Sequence, residues 1–488
     1  MELVTAQSVF DEARCLLEGK DMDGEPCEKN VERAETLLHE VLNNNLGQPT
    51  VLYTLGSLYL EKGNYGLAIQ LLSQVTGGWP KFGEAWNNLA MAFRGVNEWD
   101  KAAHCAKKAA ALLDHADIPC NVAGLYLNRG MPEDALEWAD TALEKDPDHV
   151  KAQWHKATAL LELGRWHEAW PLHESRLVGG AHESIAERNY HGANKTPWWD
   201  GKTAEKVVVH GEQGMGDEVM FASCLPDAIA TGAEIIFEPS PRLHGLFTRS
   251  FPKATVYGTN EVDGRDWIGS WGRPNSMVTL GSLPKFYRNR DADFPITPYL
   301  VASPEKREFW AGKLKALGDR LMVGLAWQGG VPATRVEARS FHPANFAPLF
   351  GQDCAFISLQ YDATARRCVD EVTSEFDVTF EHWPKAVEAI DQETGEMSDL
   401  DEVAALIDEL DLVITIPTTS YHVAGALGVP TWVLTQSEPD WRLGVTRAST
   451  PWYNSVSLIR QERAGDWASV IEEAARRLGT FIETRKRA

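Results

Sequence analysis

Near the middle of the chain, Gly211-Glu212-Gln213-Gly214-Met215-Gly216-Asp217 joins an apolar run of strand length, Val207-Val208-Val209-His210, to a helix-like segment over 218–231. A second apolar run, Glu234-Ile235-Ile236-Phe237, follows. Glycines let the backbone approach a ligand closely. Asp217 stands where the loop ends and the helix begins. A carboxylate there caps the helix or, facing a substrate, takes a proton from a hydroxyl. Glu212 and Glu218 are neighbours able to take the same role. The glycines run G-x-x-G-x-G and no G-K-[ST] follows, which disfavours a P-loop kinase or an ordinary dehydrogenase.

A second set of residues suits an anion. Thr418-Thr419-Ser420 stands between the apolar run 412–416 and a helix entering at Tyr421. Its hydroxyls and free backbone N–H groups point at the place where a helix N-terminus favours negative charge. His422, one turn in, either orients a phosphate or packs. Arg335 and Arg339 follow Trp327-Gln328-Gly329-Gly330, and an arginine fork suits bidentate contact with phosphate. Arg442, with Asp440 two residues before it, serves a diphosphate or sugar, or forms a structural ion pair. No metal is expected: there is no D-x-D after an apolar strand, no H-E-x-x-H and no Cys/His ligand spacing. His167 and His173, six apart, would face different sides of a helix.

The elements that must position these residues alternate. Strands are expected over 322–327, 355–359, 412–416 and 431–434, separated by helices such as 401–409 and 420–427. That order is β-α-β-α, as a parallel sheet with crossover helices requires. An amphipathic helix is expected over 467–478.

Upstream, the period changes. Ala34, Ala68, Ala102, Ala135 and Ala169 recur at spacings of 34, 34, 33 and 34 residues. Gly63, Asn97, Gly130 and Gly164 each stand five residues before one of them, and small residues recur at Gly56, Ala90, Ala123 and Ala157. These read as helix–turn–helix units in which small residues allow close approach and Gly or Asn takes a left-handed turn. The pattern resembles the tetratricopeptide (TPR) family over roughly residues 48–180. Residues 5–45 read as a degenerate capping unit with an acidic insertion over 20–29. Such stacks bury their apolar faces only against neighbours, and the resemblance implies a peptide or protein partner in the groove.

The chain has 488 residues, 44% hydrophobic and 24% charged, ordinary proportions for a globular protein of roughly three domains. Lys and Arg number 47 against 70 Asp and Glu, a net charge of −23. Such a surface repels phosphate backbones and anionic lipid, so neither nucleic acid nor a membrane surface is an expected partner. The first residues show no basic segment ahead of an apolar run, and no stretch approaches the roughly 20 apolar residues of a spanning helix. The seven cysteines are scattered, without C-x-x-C spacing, which fits reduced thiols in a cytoplasmic protein.

From residue 205 to 480 the chain resembles bacterial TPR proteins fused to a GT-B glycosyltransferase domain akin to the heptosyltransferase family. The resemblance rests on the 211–217 loop, Val323-Gly324-Leu325-Ala326-Trp327-Gln328, Ser358-Leu359-Gln360, the stretch 418–430 (TTSYHVAGALGVP) and Pro439-Asp440-Trp441-Arg442. It implies a TPR superhelix followed by two Rossmann-like α/β lobes facing a cleft. The expected division is a repeat array over 1–180, a tryptophan-packed connector over 181–205, an acceptor-side lobe over 206–300, and a donor-side lobe with a terminal helix over 301–488. By the resemblance Asp217 is the general base, with Gly214 and Gly216 shaping its loop. Arg339, Thr418, Thr419, Ser420, His422 and Arg442 hold the donor, and Gln360 lines the base pocket. The family's Asp-Thr-Gly at the phosphate helix reads Pro417-Thr418-Thr419 here, which removes a contact to the donor sugar and does not favour heptose. The expected function is inverting, metal-independent transfer from a nucleotide-sugar donor, with no other cofactor, to a protein of flagellin or surface-protein type recruited by the repeats. The alternatives are a transferase for lipid-linked sugar or polysaccharide, and a non-catalytic scaffold.

Overall fold

The computed structural model describes residues 3–19, 29–43, 48–178, 195–258, 267–329, 339–362, 364–388, 399–437 and 440–487. It divides into two compact units, Met1–Ala159 and Leu160–Ala488.

The first unit is made of helices: α1 (Leu3–Glu18), α2 (Val31–Asn43), α3 (Pro49–Glu61), α4 (Tyr65–Gly78), α5 (Gly83–Gly95), α6 (Trp99–Leu112), α7 (Asp117–Leu127), α8 (Pro132–Lys145) and the start of α9 (Val150–Glu162). They pack as consecutive antiparallel pairs. The periodic alanines explain the pairing, since Ala34, Ala68, Ala102 and Ala135 are wholly buried. A Cβ on Gly56 would lie 2.8 Å from Leu72 Cγ, so α3 and α4 touch there nearly backbone to side chain. The turn residues take the left-handed conformation that the sequence called for: φ is +72° at Gly63, +60° at Asn97, +65° at Gly130 and +71° at Gly164. The degenerate first unit is the pair α1–α2. Its acidic insertion lies almost wholly outside the described residues.

The second unit opens with α10 (Trp166–His173) and a 3-10 turn, Glu174–Leu177. The expected boundary at 180 falls later than the structural one, because this repeat-like segment is bonded to the α/β region. Trp166 Nε1 donates to Asp291 Oδ1 at 2.7 Å and Trp170 Nε1 to the Arg288 carbonyl at 2.7 Å. The described part of the connector is partly an edge of sheet. Met277 N donates to Pro197 O, and Trp199 N to Met277 O.

Two parallel sheets follow. The first has β1 (Lys206–His210), β2 (Glu234–Glu238), β3 (Thr255–Val256) and β4 (Ser276–Thr279) in the order β3-β2-β1-β4. The second has β5 (Leu321–Ala326), β6 (Cys354–Ser358), β7 (Phe380–Glu381), β8 (Leu412–Thr415), β9 (Thr431–Thr435) and β10 (Val456–Arg460) in the order β10-β9-β8-β5-β6-β7. In each, the chain steps outward from its first strand and then returns to that strand's other side. The direction reverses between β1 and β4 in one sheet and between β5 and β8 in the other. Such reversal points are where crevices open beyond the strands' carboxyl ends.

The helix expected over 218–231 is instead α11 (Met215–Phe221), a 3-10 turn and a short helix, Leu225–Ala230. Pro226 lacks the N–H that a continuous helix needs and begins a new one instead. The terminal helix runs further than expected, Trp467–Arg487, and buries Val470, Ile471, Ala474 and Leu478 against the second sheet's core.

The close approach within repeats is testable. Ala90, 1% exposed, admits no larger side chain. Ala90→Leu should cost about 1–3 kcal/mol through overpacking and lower the helical unfolding transition followed by circular dichroism. An unchanged transition would contradict the packing described.

Candidate functional site

The first reversal point carries the glycine loop. Gly211 N donates to Glu238 O at 2.8 Å, Gln213 turns the chain at φ +65°, and Gly214 is the extended N-cap of α11. Asp217, at the helix's third position, returns its Oδ2 to Gly214 N at 3.3 Å. The loop is fixed from below by Glu212. Its side chain has no exposed surface, and its oxygens accept from Arg176 Nε at 3.0 Å, Arg176 Nη2 at 2.7 Å and Gly281 N at 2.8 Å. Arg176 comes from the 3-10 turn after α10 and also donates to Thr279, Ser282 and Glu174. Burial opposes its charge, but Glu212 and Glu174 hold its pKa above the ordinary arginine range. Glu212 is therefore a structural counter-charge and unavailable as a base.

The second reversal point carries α12 (Thr419–Leu427), with Thr418 as its extended N-cap. The Thr418 hydroxyl does not cap the helix and lies 3.2 Å from that of Thr415. The chain after β5 comes so near that a Cβ on Gly329 would stand 2.5 Å from Thr418 Cγ2. Gln360 holds that chain. Its Oε1 accepts from Trp327 N at 3.2 Å and Gln328 N at 3.1 Å, while Nε2 donates to Gln328 O at 2.8 Å. With its side chain spent on backbone, Gln360 braces the loop rather than contacting a base. Arg339 Nη2 donates to Gly329 O at 3.3 Å. Burial and Arg442 pull the Arg339 pKa down, while Asp440 pulls it back. Arg335 lies outside the described residues.

The two reversal points meet. A Cβ on Gly216 would be 2.8 Å from His422 Cδ2, so α11 and α12 touch at their N-terminal turns. Across this contact Asp217 Oδ1 accepts from Arg442 Nε at 2.7 Å and Nη2 at 2.6 Å. Arg442 Nη1 reaches Asp440 Oδ2 at 3.1 Å, and the guanidinium lies 4.4 Å from the Trp441 ring centroid. Burial opposes the Arg442 charge, but Asp217 and Asp440 raise its pKa above the usual range. His422 Nδ1 is 2.8 Å from Tyr453 Oη, and burial with Arg442 nearby drives its pKa well down, leaving a neutral ring. Asp217, Gly216, His422 and Arg442 thus stand together, with Thr418 and Arg339 on the adjoining loops. Ser420 is buried in the first turn of α12.

Sequence reasoning missed Arg176, which reads as part of the last repeat, and Tyr453, which belongs to no motif. It also missed a cavity of about 430 Å³ beside the β5 loop, lined by Trp327, Gln328, Ser340, Phe341, His342 and Cys368 among others. Among the described residues, His342, Cys368 and Glu371 bring possible ligand atoms within 4.8 Å of one another. Cys368 and Glu371 share one helix, Ala365–Phe376, but His342 comes from a loop 26 residues before Cys368, so no compact ligand motif announces the set. His342 Nδ1 already accepts from Ala344 N at 3.3 Å, whereas a neutral ring ligating through Nε2 would carry its proton on Nδ1 and lose that bond.

Glu218, the other alternative base, is 5% exposed, with Oε2 accepting from Ser240 N at 2.9 Å. Burial pushes its pKa up to about 8. An unfolded glutamate titrates near 4.3. Its protonated form is accommodated fully below that value. As pH rises towards 8 the folded chain must keep a proton that the unfolded chain gives up, so stability falls. Glu218→Gln should remove this dependence. The melting temperature of the variant relative to the parent should climb by several degrees between pH 5 and pH 8, whereas a constant difference would show that the carboxyl is ionised in the fold.

The tetratricopeptide repeat family matches residues 53–116 and 123–181. Protein FlbA of Caulobacter vibrioides is 29% identical over 452 residues, 82% of this chain and 73% of that protein. Protein NPGR2 of Arabidopsis thaliana is 34% identical over 80 residues, 16% of this chain and 11% of that protein. Among solved structures, MamA aligns at 22% identity and a TM-score of 0.30, over 32% of this chain and 92% of its own. A thermophilic TPR protein of Thermus thermophilus aligns at 19% identity and 0.29, over 37% and 94%. The amino-terminal region therefore carries TPR repeats, and an α/β region with parallel sheets follows it.

Proposed function

We propose that the protein is an inverting, metal-independent glycosyltransferase of GT-B type that moves a sugar from a nucleotide-sugar donor to a protein bound by the TPR array. The observation that carries this reading is the meeting of the two reversal points, which sets Asp217 of one sheet against Arg442, His422 and the start of α12 from the other. Transfer to a hydroxyl needs a base on one side of the anomeric carbon and a cationic cradle for the leaving diphosphate on the other.

In this reading the acceptor hydroxyl gives its proton to Asp217 as its oxygen bonds to the anomeric carbon. The bond from that carbon to the diphosphate oxygen breaks, and the electron pair leaves with the nucleotide. Arg442, Arg339 and the hydroxyls of Thr418, Thr419 and Ser420 receive the charge, and most of the rate comes from positioning and electrostatics. The 430 Å³ cavity at the end of β5 has the size and apolar wall that suit a nucleoside. Neutral His422 orients rather than attracts.

A polypeptide acceptor is supported by a row of polar side chains on the repeats. Tyr53, Asn87, Asn121 and His155 stand at equivalent positions 34 residues apart. Asn121 Nδ2 donates to Asn87 Oδ1 at 3.3 Å, and Asn88 Nδ2 to Ser57 Oγ at 2.8 Å. Half-buried amides in register suit the N–H and C=O groups of an extended chain. No helix among the described residues is long and apolar enough to cross a membrane, and the acidic surface disfavours nucleic acid. A scaffold without activity is the second reading, favoured by Pro417 where the resembling family has aspartate.

The test is thermal denaturation of the full chain with millimolar UDP, GDP, ADP, CDP, CMP or dTDP. A ligand at 100 times its Kd stabilises by about 2.7 kcal/mol. One nucleotide should raise the melting temperature by a few degrees, and Arg339→Gln should shrink that shift. With the matching nucleotide sugar, Asp217→Asn should lose on the order of 10²- to 10⁴-fold in transfer to a co-expressed protein acceptor. A flat response to every nucleotide would favour the scaffold.

A further inference from the structure

The guanidinium expected to receive the diphosphate is already engaged on every nitrogen. Nε and Nη2 both point at Asp217 Oδ1, at 2.7 and 2.6 Å, and Nη1 is 3.1 Å from Asp440 Oδ2. The Trp441 indole covers one face. The edge that suits a bidentate phosphate contact, Nε with Nη2, is the one Asp217 holds, so an incoming diphosphate takes that edge by displacing the Asp217 carboxylate.

The two carboxylates are not equally replaceable. Asp440 is tied into Arg442's own turn, since its Oδ1 accepts from Arg442 N at 2.7 Å. Asp217 comes from the opposite sheet, 225 residues away, and its Oδ2 keeps a separate bond to Gly214 N. Losing the arginine leaves it anchored in the first turn of α11. Beside the same pair, Gln213 Oε1 lies 3.5 Å from Arg442 Nη2, and the Gln213 amide nitrogen is buried with no acceptor among the described residues. One donor thus stands ready where the displaced interaction would be made.

Resting on the transferase reading above, we propose that Arg442 is shared in turn between Asp217 and the donor diphosphate. Before the donor binds, Arg442 masks the base. The diphosphate then draws the guanidinium away and leaves the Asp217 carboxylate free to accept the acceptor's proton. Donor must bind before acceptor, and a site lacking donor holds no competent base. Asp217 is accordingly a competitor of the diphosphate as well as the base.

The competition has a sign that a plain binding or structural role would not give. A site whose cation is mostly occupied binds its ligand more weakly by the fraction of time the cation is free. Removing the competitor recovers that factor. Inorganic pyrophosphate, and the nucleoside diphosphate giving the largest thermal shift, would be titrated calorimetrically into the full-length protein, Asp217→Asn, Arg442→Gln and the double variant. Melting curves on each would confirm folding. Asp217→Asn should bind on the order of tenfold more tightly and Arg442→Gln more weakly. Adding Asp217→Asn to Arg442→Gln should change nothing, because the competition acts through the arginine. Should Asp217→Asn melt early, Asp217→Ser is the substitute, with the same expectation. Unchanged or weaker binding by the Asp217 variants, while the parent binds, would overturn the exchange and leave the transferase reading intact. Unaltered affinity in Arg442→Gln would overturn it equally. Binding by none of the four proteins would remove the transferase reading and the exchange with it.

Discussion

A guanidinium with 3% of its side chain exposed must have its counter-charge delivered, and Arg176 decides where the glycine loop lies. Glu212 supplies the charge from the loop's second residue, and Gly281 N and the hydroxyls of Thr279 and Ser282 close the shell. Removing one partner of such a buried pair typically costs about 3–5 kcal/mol, because the other charge is left uncompensated. The loop is therefore held from its second residue, and Asp217 inherits its position five residues on. The same segment is packed by Trp170, which meets the Trp441 and Trp452 rings at centroid distances of 6.2 and 6.4 Å. Trp441 is the residue before Arg442, so the segment that places the glycine loop also packs beside Arg442.

Topology explains how residues so far apart in sequence come into contact. A parallel sheet sends every strand's carboxyl end to one edge, and the reversal of strand order leaves a gap there that no crossover helix fills. One gap lies between β1 and β4, the other between β5 and β8. Each presents a helix start preceded by an extended residue, Gly214 in one and Thr418 in the other. Gly216 allows the two helices to touch, because any side chain there would enter the His422 ring. Close helix packing, rather than a long flexible side chain, brings Asp217 within reach of Arg442.

What the sequence revealed was whatever depends on neighbours along the chain. The buried alanines and left-handed turns of the repeats follow from a period, and β1, β5, β8 and β9 follow from apolar runs. The N-terminal turn at Thr418 follows from hydroxyl residues between strand and helix. What stayed hidden depends on partners far away. Nothing local distinguishes Glu212, spent on Arg176, from Asp217, which meets Arg442 from the other sheet. Gln360 looked like a pocket residue because it ends a strand, but three backbone groups of the β5 loop consume it. β4 and β10 escaped notice since Ser276-Met277-Val278-Thr279 and Val456-Ser457-Leu458-Ile459-Arg460 mix polar with apolar residues. Each is held by a parallel neighbour on one side and by irregular chain on the other, the connector at Met277 for β4 and Ala448–Ser449 for β10.

The proposed function asks a protein with a net charge of −23 to hold an anion, and the local charge balance bears on that. Exposed charges more than about 8–10 Å away are screened, so the acidic surface matters less than what lies within the first contact shell. There Arg339 and Arg442 are set against Asp217 and Asp440, two charges of each sign, while His422 is neutral and Glu218 is held protonated at neutral pH by burial. These side chains together bury no excess charge, which would be costly in a medium of low polarity. In the proposed exchange a polyanion is admitted by the Asp217 carboxylate that withdraws, and the pairing that occupies Arg442 is the same one that balances its charge.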